Sequence, residues 1–335
     1  MNSKAFLALI LLFLMTAISH GHHSIAPFDR AAWFEFEGEV IQLSWRNPHL
    51  GLTARLTNDD GTNEDWQIEA DAINSLMRRG LTREDFAVGE KIRFGGWPSS
   101  QGRQALLSTN VLLANGQEYI MRDTDTPLVW TSPEEEATNS SNPVIATDLF
   151  RVWSYEALYV RKSPFKLTDK SEQAIAVYDP FLDMPSLRCI PPGMPNAILS
   201  PYPFEFVQEG DNILLNIEEW ESQRFIDMTS FQIPQDAPRT RLGYSIGKFE
   251  NSALLVRTER LSGGLLDDDG TLMSQDAAID EIFTIADDGI TLNYQVTVTD
   301  PEYLVEPATY IAAWRWNPDT IMRSFECDPE VVPTD

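Results

Sequence analysis

From Trp33 onward this sequence is written in short runs that alternate apolar and polar residues. The first run reads Trp-Phe-Glu-Phe-Glu-Gly-Glu-Val-Ile-Gln-Leu-Ser-Trp. Phe34, Phe36, Gly38 and Val40 alternate with Glu35, Glu37 and Glu39. Successive side chains of a strand point to opposite faces, so a period of two marks a strand with one face buried. Gly38 inside the run predicts a bulge or bend. Asn47-Pro48 predicts a turn, and a second strand starts at His49 and runs to Leu56. Asn58-Asp59-Asp60-Gly61 signals a hairpin into a third strand, Asp65–Ala70.

Asp71 suits a helix N-cap, with Ile73, Leu76 and Met77 on one face and Gly80 as the stop. Thr82, Glu84 and Asp85 read as a second, short capped turn. Strands follow at Lys91–Trp97, its strained end marked by Gly95, Gly96 and Pro98, and at Leu106–Leu113. Asn115-Gly116 then turns into a short extended piece ending at Met121. Three strands, a helix and two strands is the order of an OB-fold, a five-stranded Greek-key barrel. Residues 122–147, with Glu134-Glu135-Glu136, Pro127, Pro133 and Pro143, read as an acidic linker.

The second domain spans residues 148–335. Phe150–Val160 is a strand or an entry segment, and Thr168 caps a short helix running to Tyr178. Pro180 through Pro203 recur too often for regular structure. Strands are then expected at Phe204–Gln208, Asn212–Glu218, Arg224–Met228, Arg241–Phe249, Ala253–Leu261, Ala278–Ala286, Ile290–Thr299 and Tyr310–Trp316. Turn signals such as Glu209-Gly210-Asp211 and Asp287-Asp288-Gly289 separate them, which suggests one antiparallel barrel or sandwich. Asp267-Asp268-Asp269-Gly270 is expected as a solvated loop tip. The fold class is therefore mainly β: an OB-like barrel over 22–121, a linker, and a larger antiparallel β domain.

Residues 1–21 have the layout of a secretory signal: Lys4, an apolar run from Ala5 to Ile18, and small Ser19 and Gly21 before the cut. The run is shorter than the roughly 20 residues of a membrane span, and no later run would span a bilayer. The chain is thus expected to be exported, to a periplasm or the exterior. Its net charge of −26 repels phosphate backbones and anionic lipid, which argues against nucleic acid as a partner. Cys189 and Cys327, the two cysteines, are expected to pair in an oxidising compartment. They lack the close spacing of metal ligands.

Of the four histidines, His20 leaves with the signal. A cut after Gly21 makes His22 the mature terminus, offering an amine and an imidazole from one residue. A further imidazole completes a T-shaped set of three nitrogens, a histidine brace, which suits Cu(II). Adjacent rings in an extended chain point to opposite sides. The expected set is therefore His22 with His49, and His23 is a substitute or outer ligand. The chain is read as an exported copper-binding protein with candidate ligands His22, His23 and His49.

Two other readings are open. Aromatic residues including Phe204, Phe206, Trp220, Phe225, Tyr244 and Trp314 could line a barrel that holds an apolar small molecule, or could simply pack a core. A non-metal enzyme using carboxylates is the other. The second domain has no histidine, which excludes a Ser-His-Asp triad there. No phosphate loop or dinucleotide glycine fingerprint appears. No residue set assigns a reaction.

Three motifs occur together: His22-His23-Ser24, Trp45-Arg46-Asn47-Pro48-His49 and Arg79-Gly80. Over about residues 20–120 the chain resembles a family of secreted bacterial domains of unknown function that carry these motifs in this order. The second half, with Arg188-Cys189-Ile190-Pro191-Pro192-Gly193 and Gly243-Tyr244-Ser245-Ile246-Gly247, resembles a β-rich module of related secreted proteins. The resemblance implies export and leaves the chemistry open.

Overall fold

The computed structural model describes residues 28–122, 126–132, 148–155, 160–161, 165–179 and 183–327. The alternating N-terminal runs form β1 (Phe34–Ser44), β2 (Gly51–Thr57), β3 (Asn63–Glu69), β4 (Lys91–Pro98) and β5 (Ala105–Leu112), with α1 (Ile73–Arg78) between β3 and β4. They close a five-stranded barrel in the order β1-β2-β3-β5-β4. Closure comes from the parallel pairing of Gln67–Glu69 with Ala105–Leu107, which is the OB-like arrangement expected from the strand order. The inward residues of the alternation, Phe36, Val40, Leu52, Ile68, Phe94 and Val111, form the barrel core. A short β6 (Glu118–Ile120) extends β5 beyond that closure.

Two details differ from the expectation. The bulge of β1 lies between Val40 and Gln42 rather than at Gly38. Gly38 serves close approach instead: a Cβ there would sit 3.2 Å from both Ala54 Cβ and Arg55 O. Asp71 does not cap α1. Ala72 is the N-cap, and the Asp71 carboxylate is engaged by Arg79 at 2.9 Å and Arg122 at 3.6 Å. The second turn is capped as expected, by a Thr82/Asp85 capping box.

The stretch read as a linker starts with a docked segment. Buried Glu118 accepts backbone hydrogen bonds from Val129, Trp130 and Thr131 at 2.7–2.9 Å. Trp130 Nε1 also donates to Glu35 at 2.9 Å. Residues 126–132 therefore belong to the surface of the first barrel.

The second half forms a nine-stranded barrel. Its strands are β7 (Val152–Tyr155), β9 (Phe204–Glu209), β10 (Asn212–Ile217), β11 (Ser222–Asp227), β12 (Tyr244–Glu250), β13 (Ala253–Glu259), β16 (Ala278–Ile285), β17 (Thr291–Thr299) and β18 (Ala308–Trp316). The β17–β18 pairing closes it, and β8 (Val160–Arg161) adds to β18. It is thus a barrel and not a sandwich. Its one departure from antiparallel order is β11–β12, which run parallel and meet through only two residue pairs, Ile226–Ser245 and Asp227–Ile246. The expected strand from Arg241 begins later, at Tyr244, because Gly243 turns the chain at φ +69.

Two helices, α2 (Asp169–Ile175) and α3 (Asn196–Leu199), and a hairpin, β14 (Gly264–Leu265) with β15 (Leu272–Met273), flank the barrel. Thr168 caps α2 as expected, accepting from Ser171 N. The hairpin tip is not wholly solvated: Asp267 is buried and accepts from Thr271 N and Oγ1 at 3.0 and 2.9 Å.

The barrel interior is filled by side chains. Phe204, Phe206, Phe283, Tyr294, Tyr310 and Trp314 share one core. Inside it lies an ion pair, Arg224 with Glu281. Arg224 also donates to Ser245 Oγ (3.0 Å) and Thr258 Oγ1 (2.6 Å), and Tyr294 OH donates to Glu281 (2.9 Å). A buried ion pair needs such extra hydrogen bonds to offset its desolvation.

The two barrels meet across a polar seam. Glu218, at the end of β10, is 1 % exposed. It accepts from Asn74 Nδ2 (2.8 Å) and Arg78 on α1, and from Arg323 N (2.8 Å). The C-terminal segment 321–327 runs through the seam as a strap. Asn74 Nδ2 donates to Ser324 O (3.1 Å), Asn47 N donates to Glu326 O (3.3 Å), and Asn47 pairs with Cys327. Cys327 is bonded to Cys189, with Cα atoms 5.9 Å apart, so the expected disulfide forms.

Candidate metal centre

The Trp45–His49 segment joins β1 to β2, and its Asn47-Pro48 peptide is cis. Two backbone hydrogen bonds on the next residue fix the end of this turn: Leu50 N to Asp71 O and Ala70 N to Leu50 O, both 3.2 Å. They set half-buried His49 against Ala70, with Nδ1 3.2 Å from the Ala70 carbonyl oxygen.

Burial, then the Arg122 cation, pull the His49 ring down to a pKa of about 4, against the opposing Asp71 charge and the Ala70 hydrogen bond. The ring is therefore neutral at pH 7. A carbonyl can only accept, so Nδ1 carries the proton and donates to Ala70. The lone pair then resides on Nε2. Metal-binding histidines are commonly oriented in this way, with one ring N–H donated to a carbonyl and the other nitrogen ligating.

The depressed pKa has a consequence for stability. Below about pH 6.5 the unfolded chain takes up a proton at His49 that the folded chain refuses down to about pH 4. Stability referred to this residue is full above pH 6.5 and falls as pH drops to 4, by at most about 3 kcal/mol. His49→Asn, which cannot titrate, is expected to lose that part of the acid sensitivity. Urea unfolding at pH 7 and pH 4.5 measures it, and parallel behaviour of parent and variant would refute it.

His22 and His23 lie outside the described residues. Among the described residues no group of three or more His, Cys, Asp and Glu is placed to hold a metal ion. The nearest acid of the site, Asp71, is occupied by Arg79 and Arg122, and Arg79 is itself held by Ile120 O at 3.2 Å. His49 is thus the one sequence-nominated ligand whose setting is described. The Ala70 carbonyl and Arg122, which orient and tune it, carry no sequence signal, because they approach from the ends of β3 and β6; Arg79, part of the Arg79-Gly80 motif, engages Asp71.

Phe28 pairs with Ser99 beyond the end of β4. Ser99 N donates to Ala105 O at 2.9 Å, and Ala105 pairs with Gln67, three residues before Ala70. Phe28 and Ala70 are thus separated by about three strand spacings and three residues of rise, or about 17 Å, and His49 lies on the neighbouring strand side, against Ala70. The way between them crosses the barrel closure. A route back along β1 would traverse its full 11 residues, about 35 Å.

The profile of a family of unknown function, DUF6152, matches residues 11–108. The matched stretch takes in His22, His23, the Trp45–His49 segment and β1–β4, and ends within β5. No curated protein matches the chain. What the chain resembles is therefore a family to which no activity is attached.

Proposed function

We propose that this is an exported copper-binding protein whose metal is held by the amine and ring of His22, as mature terminus, and the Nε2 of His49. His23 is an outer or substitute ligand. The observation that carries this reading is the neutral His49 ring, its Nδ1 committed to Ala70 and its Nε2 bearing the lone pair. Six residues separate His22 from Phe28, and an extended chain of that length reaches about 20 Å. That is enough to cover the roughly 17 Å from Phe28 to Ala70, whose carbonyl oxygen lies 3.2 Å from His49 Nδ1. Nitrogen donors in a T-shaped set favour Cu(II), and a brace leaves the remaining positions for a substrate, oxidant or partner.

The test is a competitive Cu(II) titration of the mature protein beside His22→Ala and His49→Ala. Each variant is expected to bind at least about a hundredfold more weakly, roughly 2.7 kcal/mol for a lost ligand. Affinities equal to the parent in both variants would dismiss the site. Cleavage is checked at the same time by N-terminal sequencing of the secreted chain, which should begin at His22.

A further inference from the structure

The parallel pair β11–β12 is joined by two residue pairs only, so the strands part on one side of them. The opening is a cavity of about 360 Å³, whose lining includes Gln223, Phe225, Arg241, Leu242 and Tyr244. That volume is in the range of small-molecule sites. Arg241 spans the opening, with Nη2 on Ser222 Oγ of β11 at 2.7 Å and Nη1 on Pro192 O at 2.8 Å. Both partners are neutral, which leaves the cation without an ion-pair partner there.

Burial lowers the Arg241 pKa, and the opposing charge is Glu219. Glu219 is itself pushed up to about 8 by burial, and its Oε2 is buried with no hydrogen-bond partner. Its charge acts on Arg241 from beyond the 4 Å of an ion pair. Arg224, the other guanidinium of the lining, is fully committed to Glu281, Ser245 and Thr258. Phe225 is 46 % exposed at the same opening, and Tyr244 faces it from β12 with its hydroxyl donated to Asp227 at 3.0 Å.

We propose that this cleft binds a small organic carboxylate, its carboxylate on the Arg241 guanidinium and a flat apolar body against Phe225 and Tyr244. A guanidinium fork matches a carboxylate through paired N–H donors. An inorganic anion would leave the apolar wall and most of the volume unused.

The test is calorimetric titration of the mature protein with benzoate, with benzamide as the neutral isostere and inorganic phosphate as the competing anion. Benzoate is expected to bind saturably, and benzamide and phosphate at least about tenfold more weakly, as loss of a charge-assisted pair implies. Arg241→Gln is expected to weaken benzoate at least about tenfold. Phe225→Ala, on the exposed face, keeps the test open if Arg241→Gln fails to fold, and is expected to weaken benzoate about threefold, as for lost ring contact. No benzoate binding, unchanged affinity in Phe225→Ala or in a folded Arg241→Gln, or phosphate as strong as benzoate would overturn the proposal.

Discussion

The Cys189→Ser/Cys327→Ser protein is expected to unfold with a stability lower by about 5 kcal/mol, from the chain entropy released when a long loop is opened. The bond closes a loop with 138 residues of separation, and the cost grows with the logarithm of that length. The bond also anchors the strap on which Asn47 rests, two residues before His49. The same variant should therefore bind copper several-fold more weakly if the proposed site is correct. Urea unfolding gives the first number. A loss below about 1 kcal/mol would mean that the seam holds the strap without the bond.

Glu218→Ala is expected to cost about 3 kcal/mol, in the range found when one partner of a buried pair is removed. Asn74 Nδ2, Arg78 and Arg323 N would each lose an acceptor. Arg78 keeps a 23 % exposed side chain and recovers some hydration, which limits the penalty. Glu218→Gln retains an acceptor and should cost less. The two barrels are joined through this residue, so calorimetry should show them unfolding less cooperatively in Glu218→Ala, as a transition broader than the parent's or split. A variant as stable as the parent would show that the seam is wet and weak.

The barrels themselves were legible in the sequence, because a strand with one buried face must alternate. Phe34 to Val40 announce β1, and the strand-helix-strand order announces the closure. The strap was not legible. Asn74 and Glu218 are 144 residues apart, and Arg78 and Glu218 are 140 apart, so no local periodicity records their meeting. The displaced bulge follows from packing, since Gly38 is held to its place by Ala54 and Arg55 while the extra residue, Ile41, fits three positions later. The parting of β11 and β12 was invisible for a similar reason. The stretch from Arg241 to Phe249 alternates like a strand, but Gly243 interrupts it with a left-handed backbone. Of the candidate site, residue types and chain spacing could nominate His49. The sequence could not foretell its neutral ring, which depends on burial and on Arg122.

Electron paramagnetic resonance of the mature protein with one equivalent of Cu(II) tests the central claim most directly. The account predicts an axial spectrum with hyperfine structure from three nitrogens in the parent, two nitrogens in His49→Ala, and loss of the terminal amine signature when one residue is added before His22. A parent spectrum unchanged by both alterations would contradict it.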